Sequence, residues 1–219
     1  MIFVIDRVLD QHELAAVQAA ATALPYGDGR TTSGRFAQAV KRNEQAADTP
    51  ARAAILAKVR SAVAANPVVQ AAAQPRAFAR LAISRYTPGM EYGFHVDNAI
   101  IDSNRTDLSF TLCLSSAADY QGGELVIDDP LEQRAVRLDA GQLVLYPSNT
   151  LHRVAPVTGG TRLAVVGWIT SWVADPGRRT VLYDLAVAAR AMHAVAGDSP
   201  GFLSLQKAQS NLLRMWAGE

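Results

Sequence analysis

The spacing of apolar residues along this chain changes twice, from a helical period near the N-terminus to a two-residue period in the middle, then back to a helical period. Residues 2–5 read as a short strand. Asp10 is a suitable N-cap for a helix with Leu14, Val17, Ala21 and Leu24 on one side, and Pro25 and Gly27 stop it. The polar stretch 27–45 has little periodicity beyond Phe36 and Val40 and is expected to contain loop. Asp48 is expected to open a second helix, with Pro50 in its first turn and Ile55, Leu56, Val59 and Val63 on one face.

From Phe78 onward, short runs rich in Val, Ile, Leu, Thr and aromatic residues alternate with turn signals such as PGM, QGGE, DDP, DAGQ and TGGT. The runs are 77–86, 92–96, 108–114, 124–127, 135–138, 142–146, 152–156 and 162–168. They predict an antiparallel jelly roll, a cupin-like double-stranded β-helix. With flanking helices, the fold class is mainly β within α+β. Residues 1–76 supply helices that pack on a core at 77–175, and 176–219 form a helical extension. In that extension Val181, Leu182, Leu185, Ala189 and Met192 keep helical spacing, as do Leu205, Leu212 and Met215 after a break at 197–201.

Composition narrows the partners. The chain has 219 residues, 49% of them apolar, enough for a substantial core. Its 21 Lys and Arg nearly cancel 20 Asp and Glu, so no broad field draws nucleic acid or an anionic membrane. Specificity therefore falls to a pocket, with a small molecule or peptide as the expected partner. The single cysteine, Cys113, excludes an internal disulfide framework and sits in an apolar run, as a buried strand residue would. The apolar start MIFVI is too short for a signal core or a membrane span, so a cytoplasmic location is expected.

The candidate chemistry lies in the β region. His95 and Asp97 stand two apart in a predicted strand, on one face by alternation, and His152 begins another strand. Two imidazoles and one carboxylate can occupy one face of an octahedral metal and leave three positions open, the arrangement of non-haem iron(II) oxygenases. A His-x-Asp pair alone equally fits a surface strand with a solvated carboxylate. Arg162, ten residues after His152, adds a candidate anchor for an anionic cosubstrate, although an outward Arg that merely solvates a strand is the plainer reading. If residues 158–160 form a hairpin loop, Pro156 faces Arg162 across the ladder. Pro156 then lies about 13 Å along the strand from His152, at roughly 3.3 Å per residue.

The segments RYTPGMEYGFHVDNAI, DLSFTLCLS, YQGGELVIDD and DAGQLVLYPSNTLHRVAPVTGGTRLAVVGWITSWV, in that order over roughly residues 80–175, resemble the PKHD-type hydroxylases, also described as PiuC-like or YbiX-like. These are bacterial relatives of prolyl hydroxylases associated with iron uptake. The resemblance extends weakly into RRTVLYDL and NLLRMW; it departs where Gln209 and Ser210 stand in place of a Tyr-His pair. It implies Fe(II) held by His95, Asp97 and His152, and 2-oxoglutarate with its distal carboxylate on Arg162. It also implies O2 as oxidant, ascorbate as a candidate reductant, and succinate and CO2 as co-products. Asp97 argues against a halogenase, in which a small residue replaces the carboxylate.

Tyr86 stands where related prolyl hydroxylases place a tyrosine on the same carboxylate; as a strand residue it also fits the core. Tyr92 and Asn98 flank the His-x-Asp pair and either face substrate or serve turn packing. Gly122 and Gly123 are expected to form a positive-φ hairpin turn, and Trp168 is expected in the core. Two alternatives to an enzyme remain at this point. One is a non-catalytic cupin that binds a metal or small molecule. The other is a partner-binding module built on the C-terminal helices, whose plainer role is packing on their own barrel or in a homo-oligomer.

Overall fold

The structure, a computed structural model, describes residues 1–32, 34–128 and 132–218. A seven-stranded sheet runs in the order Phe3–Ile5, Leu143–Pro147, Leu108–Cys113, Arg162–Ser171, Pro75–Tyr86, Glu44–Ala46 and Tyr26–Asp28. A five-stranded sheet has the order Gln133–Val136, Leu125–Asp128, His152–Val154, Glu91–His95 and Lys41–Arg42. Every pairing is antiparallel. Two small ladders, Tyr120–Gly122 with Val157–Gly160 and Ile100–Ile101 with Asn104–Arg105, complete the jelly roll.

Side-chain alternation in the larger sheet creates two distinct faces. Leu81, Ile83, Leu108, Phe110, Leu112, Leu143, Leu145, Leu163, Val165 and Ile169 belong to an outer core. Val17 and Ala21 of helix Gln11–Thr22, Ile55, Leu56, Val59 and Val63 of helix Pro50–Ala65, and Val69 of helix Pro67–Ala73 cover it. The alternate residues Tyr86, Cys113, Val144 and Tyr146 point inward, where they meet Leu125, Ile127 and Val154 of the smaller sheet. The first helix starts at Asp10, whose carboxylate accepts from the Glu13 amide at 2.7 Å within a capping box.

Several boundaries differ from the sequence reading. Thr49, not Asp48, caps the second helix, because its hydroxyl accepts from the Arg52 amide; Asp48 pairs with the Arg52 guanidinium instead. Residues 27–45, expected to contain loop, include strands Tyr26–Asp28, Lys41–Arg42 and Glu44–Ala46 and helix Arg35–Val40. These elements occupy sheet edges and line a cavity, so their inward residues are polar and carry no apolar period. Val40 is exposed, and the Phe36 side chain lies outside the described residues, as do Asp129 and Pro130 of the DDP turn.

Residues 158–160 do not form a hairpin loop. The chain crosses there between sheets, residues 157–160 pair with 120–122, and Arg162 stands opposite Tyr86 instead of Pro156. Gly122 and Gly123 both have φ near +70°, but they kink the chain from the small ladder into strand Leu125–Asp128 and do not close a hairpin.

The helix Pro176–Ala196 docks through Leu182 and Ala189, and Tyr183 meets the Phe3 ring at 4.9 Å. Arg179 is buried, and its guanidinium donates to the carbonyls of Val173 and Ala174. Helix Pro200–Trp216 packs mainly on its predecessor and buries no residue fully. Among the described residues, no helix is long and apolar enough to cross a membrane. Leu182 is fully enclosed, so Leu182→Ala should lower unfolding free energy by about 2–5 kcal/mol. Chemical denaturation should show one shifted transition; an unchanged midpoint would mean that the extension is not coupled to the rest.

Candidate metal centre and its cavity

Strand register brings the two histidines together. His152 is the direct cross-strand partner of His95, so both rings leave one face of the smaller sheet, with centroids 4.3 Å apart. Strand Glu91–His95 ends at His95, and Asp97 stands in the following loop, not in the same strand as His95 as the sequence predicts, so strand alternation does not place it. Its Oδ1 lies 3.9 Å from His95 Nε2 and its Oδ2 lies 3.8 Å from His152 Nε2. Ser109 on the larger sheet donates to Asp97 Oδ2 at 2.6 Å and exchanges a second hydrogen bond with Ser148 at 2.8 Å.

The hydrogen bonds of the two rings fix their tautomers. Nδ1 of His95 lies 2.8 Å from the Gly93 carbonyl, and Nδ1 of His152 lies 2.9 Å from the Thr150 carbonyl. A carbonyl only accepts, so each Nδ1 carries the proton and each Nε2 lone pair faces Asp97. The three ligand atoms lie within 4.8 Å of one another. Metal–nitrogen and metal–oxygen bonds of about 2.1 Å require a modest contraction from that spacing. Donor type, tautomer and spacing therefore fit a divalent metal such as iron(II).

Burial, with His152 beside it, pushes the His95 imidazole down to about 4. Tyr92 stacks on His95 with centroids 3.6 Å apart and rings 13° from parallel, so it braces that ring. Tyr146 meets His152 edge-on at 5.0 Å. Lys41, the ladder partner of Tyr92, places Nζ 5.2 Å from the Tyr92 centroid. Burial pushes the Lys41 ammonium down to about 8, partly offset by Asp97 and Asp28.

Arg162 is buried on the inner face of the larger sheet, its guanidinium carbon 5.4 Å from the Tyr86 ring centroid. Burial raises the Tyr86 phenol above its usual range, and the Arg162 charge opposes that rise. Tyr146 is raised further, by burial first and by Asp97 next. Gly123 leaves room for the Arg162 stem, since a Cβ there would meet Arg162 Cδ at 2.9 Å.

A cavity of about 610 Å³ connects Tyr86 and Tyr146 past His95, Asp97 and His152 to Trp168 and Arg80, beneath a roof from residues 27–52. Tyr92 and Asn98 both line it, and Asn98 Oδ1 packs against Gly34. Trp168 is also on the cavity wall rather than in the core; it pairs with Ser109 and Arg80, and its indole Nε1 is buried without a hydrogen-bond partner among the described residues. The sequence reading missed Ser109, Tyr146, Lys41 and Asn43. Ser109 and Tyr146 share the inward parity of their strands, a signal available once the facing residues are assigned.

A jelly roll with two imidazoles and a carboxylate at its mouth defines the class, and comparison with known proteins agrees. Residues 81–170 match the 2OG-Fe(II) oxygenase superfamily, and residues 177–218 match the PKHD-type hydroxylase C-terminal domain. A PKHD-type hydroxylase of Synechococcus elongatus is 46% identical over 222 positions, spanning 99% of this chain and 100% of the relative. One from Parvibaculum lavamentivorans is 49% identical, spanning 87% of each chain. A solved prolyl-4-hydroxylase of Pseudomonas putida shares the fold, with a TM-score of 0.55 and 22% identity over 78% of this chain and 92% of its own.

The chain belongs to the PKHD-type hydroxylase family. It is a 2-oxoglutarate-dependent dioxygenase, and that chemistry uses iron(II), 2-oxoglutarate and O2. Because an unfolded histidine titrates near 6.5 and His95 near 4, the unfolded chain binds more protons in that window. The metal-free protein should therefore lose thermal stability as pH falls from 6.5 to 4, with a shallower slope in His95→Gln. Parallel slopes for the two proteins in a melting series would contradict the depressed His95.

Proposed function

We propose that this enzyme hydroxylates an unactivated C–H bond of a compact substrate, with His95, Asp97 and His152 holding iron(II) and Arg162 binding the distal carboxylate of 2-oxoglutarate. The observation that carries this reading is a buried guanidinium packed against Tyr86, a residue on the wall of the cavity that also holds the cluster of metal-binding donors. Arg162 has no ion pair with a carboxylate among the described residues. An unneutralised buried cation is costly unless an anion joins it, and a guanidinium matches a carboxylate in two parallel hydrogen bonds. A cupin that only stores metal needs no such group.

Each residue then has a definite task. Tyr86 adds a hydroxyl beside Arg162 for the same carboxylate, and Tyr146 closes that end of the cavity. Ser109 orients Asp97, the Gly93 and Thr150 carbonyls orient the imidazoles, and Tyr92 braces His95. Asn98 and Trp168 face the space left for substrate. The iron and cosubstrate supply the oxidising power, with succinate and CO2 as co-products and ascorbate as the expected reductant. Residues 1–175 are the dioxygenase domain in this reading, with 176–219 as its helical extension. An iron-uptake context rests on the family resemblance, as does a peptidyl or free amino acid or a small iron-uptake molecule as substrate.

Anaerobic titration with iron(II) and 2-oxoglutarate tests the assignment. The wild type should develop the visible charge-transfer band of the chelated cosubstrate. Asp97→Ala should lose it, and Arg162→Ala should need at least about tenfold more 2-oxoglutarate, the scale of a lost charge-assisted hydrogen bond. Gly123→Ala should weaken 2-oxoglutarate in the same direction by displacing the Arg162 stem. No band in the wild type would overturn the metal and cosubstrate roles, and unchanged affinity in Arg162→Ala would overturn the anchor.

A further inference from the structure

A line of residues crosses the larger sheet from the cosubstrate anchor to the sheet edge. Arg162 stands opposite Tyr86 in the pair of strands Arg162–Ser171 and Pro75–Tyr86. On the other side of Pro75–Tyr86, Gln45 faces Ser84 and Glu44 faces Arg85, so Asn43, just before strand Glu44–Ala46, comes level with Tyr86. One strand further out Asp28 faces Glu44, and the Gly29 amide donates to the Asn43 carbonyl at 2.9 Å. The line is therefore Arg162, Tyr86, Asn43 and Gly29, and both Tyr86 and Asn43 are on the cavity wall.

Packing does not explain an asparagine in this line. Asn43 is 4% exposed, and neither its Oδ1 nor its Nδ2 has a partner of hydrogen-bonding geometry among the described residues. A buried amide left in that state costs free energy, whereas a leucine has the same branched shape and no such cost. The orientation of the amide is informative. Its Oδ1 leans over Gly29, where a Cβ would overlap it. The two arms of a planar amide diverge, so Nδ2 takes the Tyr86 side. Burial raises the Tyr86 phenol and Arg162 opposes the rise; the Asn43 amide opposes it too, the sign of an N–H facing the phenol oxygen.

We propose that Asn43 is a positioning residue for 2-oxoglutarate that acts through Tyr86: in the loaded site its Nδ2 donates to the phenol oxygen and so turns the phenol proton onto the distal carboxylate. A phenol O–H rotates about its C–O bond, and a donor held on one side of the oxygen leaves the proton to the other. Hydrogen bonds in series also polarise one another, which makes the phenol a stronger donor. A small rotation of the amide completes the bond, in the space that Gly29 leaves. The inference rests on Arg162 and Tyr86 holding the distal carboxylate, as given above, and goes beyond that reading by assigning a task to a residue outside the strands of the anchor.

The test is a double-mutant cycle on 2-oxoglutarate affinity, read from the charge-transfer band of the anaerobic iron(II) protein. Tyr86→Phe should weaken 2-oxoglutarate about tenfold. Asn43→Leu should weaken it about three- to tenfold when the phenol is present and should leave it unchanged in the Tyr86→Phe background, where no proton remains to be turned. Gly29→Ala displaces the Asn43 amide without removing it and should repeat that pattern. Iron(II) affinity measured without cosubstrate should be the same in every variant, which reports that each is folded.

Full 2-oxoglutarate affinity in Asn43→Leu, beside a weakened Tyr86→Phe, would overturn the proposal. So would a loss in Asn43→Leu that persists at full size in the Tyr86→Phe background, which would place Asn43 on the cosubstrate itself or in general packing. Should Asn43→Leu fail to bind iron(II), the same two outcomes are read from Gly29→Ala. If Tyr86→Phe bound 2-oxoglutarate as tightly as the wild type, the role of Tyr86 would fail first, and this inference with it.

Discussion

The cross-strand pairing of His152 with His95 is the constraint on which the rest of the site depends. Direct partners on adjacent antiparallel strands present side chains on one face at close range, so the two rings need no special loop to meet. A slip of one residue in either strand would send one imidazole to the opposite face. The turns, the small ladder at Tyr120–Gly122 and the edge strand Lys41–Arg42 all help to hold that register. Asp97 lies outside the strand and is free to complete the triangle because Ser109, reaching from the opposite sheet, fixes its carboxylate. The candidate metal centre, with Ser109 behind it, thus draws on both layers of the jelly roll.

The same two-residue alternation separates stability from chemistry. On the larger sheet, the outer residues from Leu81 to Ile169 bury apolar area against three helices, at roughly 25 cal/mol per Å² of surface removed from water. The inner residues are therefore released from most of the packing task. They include Tyr86, Ser109, Tyr146, Arg162 and Trp168, several of which are costly to bury. Small neighbours such as Ala82 and Ser84 on the same face leave the cavity open. Polar groups that destabilise an empty interior are tolerated because the opposite face of the same strands is so well packed.

The sequence was most informative where periodicity and chemistry coincide. The helices at Leu14–Ala21 and Ile55–Val63 and four of the eight predicted strands, those of the larger sheet, follow apolar spacing that the outer core requires. His95, Asp97, His152 and Arg162 were visible as residue types suited to a metal and an anion, and the structure brings the first three to one point with Arg162 beside Tyr86 on the opposing sheet. Lys41 and Asn43 were not visible, because a polar row facing a cavity looks like solvated loop until the opposing wall is known. Trp168 was assigned to the core for the converse reason: a large aromatic in a strand is ordinarily packing, and only its pairing with Ser109 places it at the cavity wall. The hairpin expected at 158–160 failed because local turn chemistry carries no information about which sheet the chain enters next.

In the proposed site a metal sits on His95, Asp97 and His152, and the cosubstrate it binds reaches Arg162 with its distal carboxylate. Crystals of the protein with Mn(II) and 2-oxoglutarate, measured near the manganese absorption edge, test it most directly. The predicted result is a single anomalous peak bonded to both Nε2 atoms and to an Asp97 oxygen, with the distal carboxylate of the cosubstrate on Arg162. A peak bound elsewhere, or a cosubstrate whose distal carboxylate avoids Arg162, would contradict it.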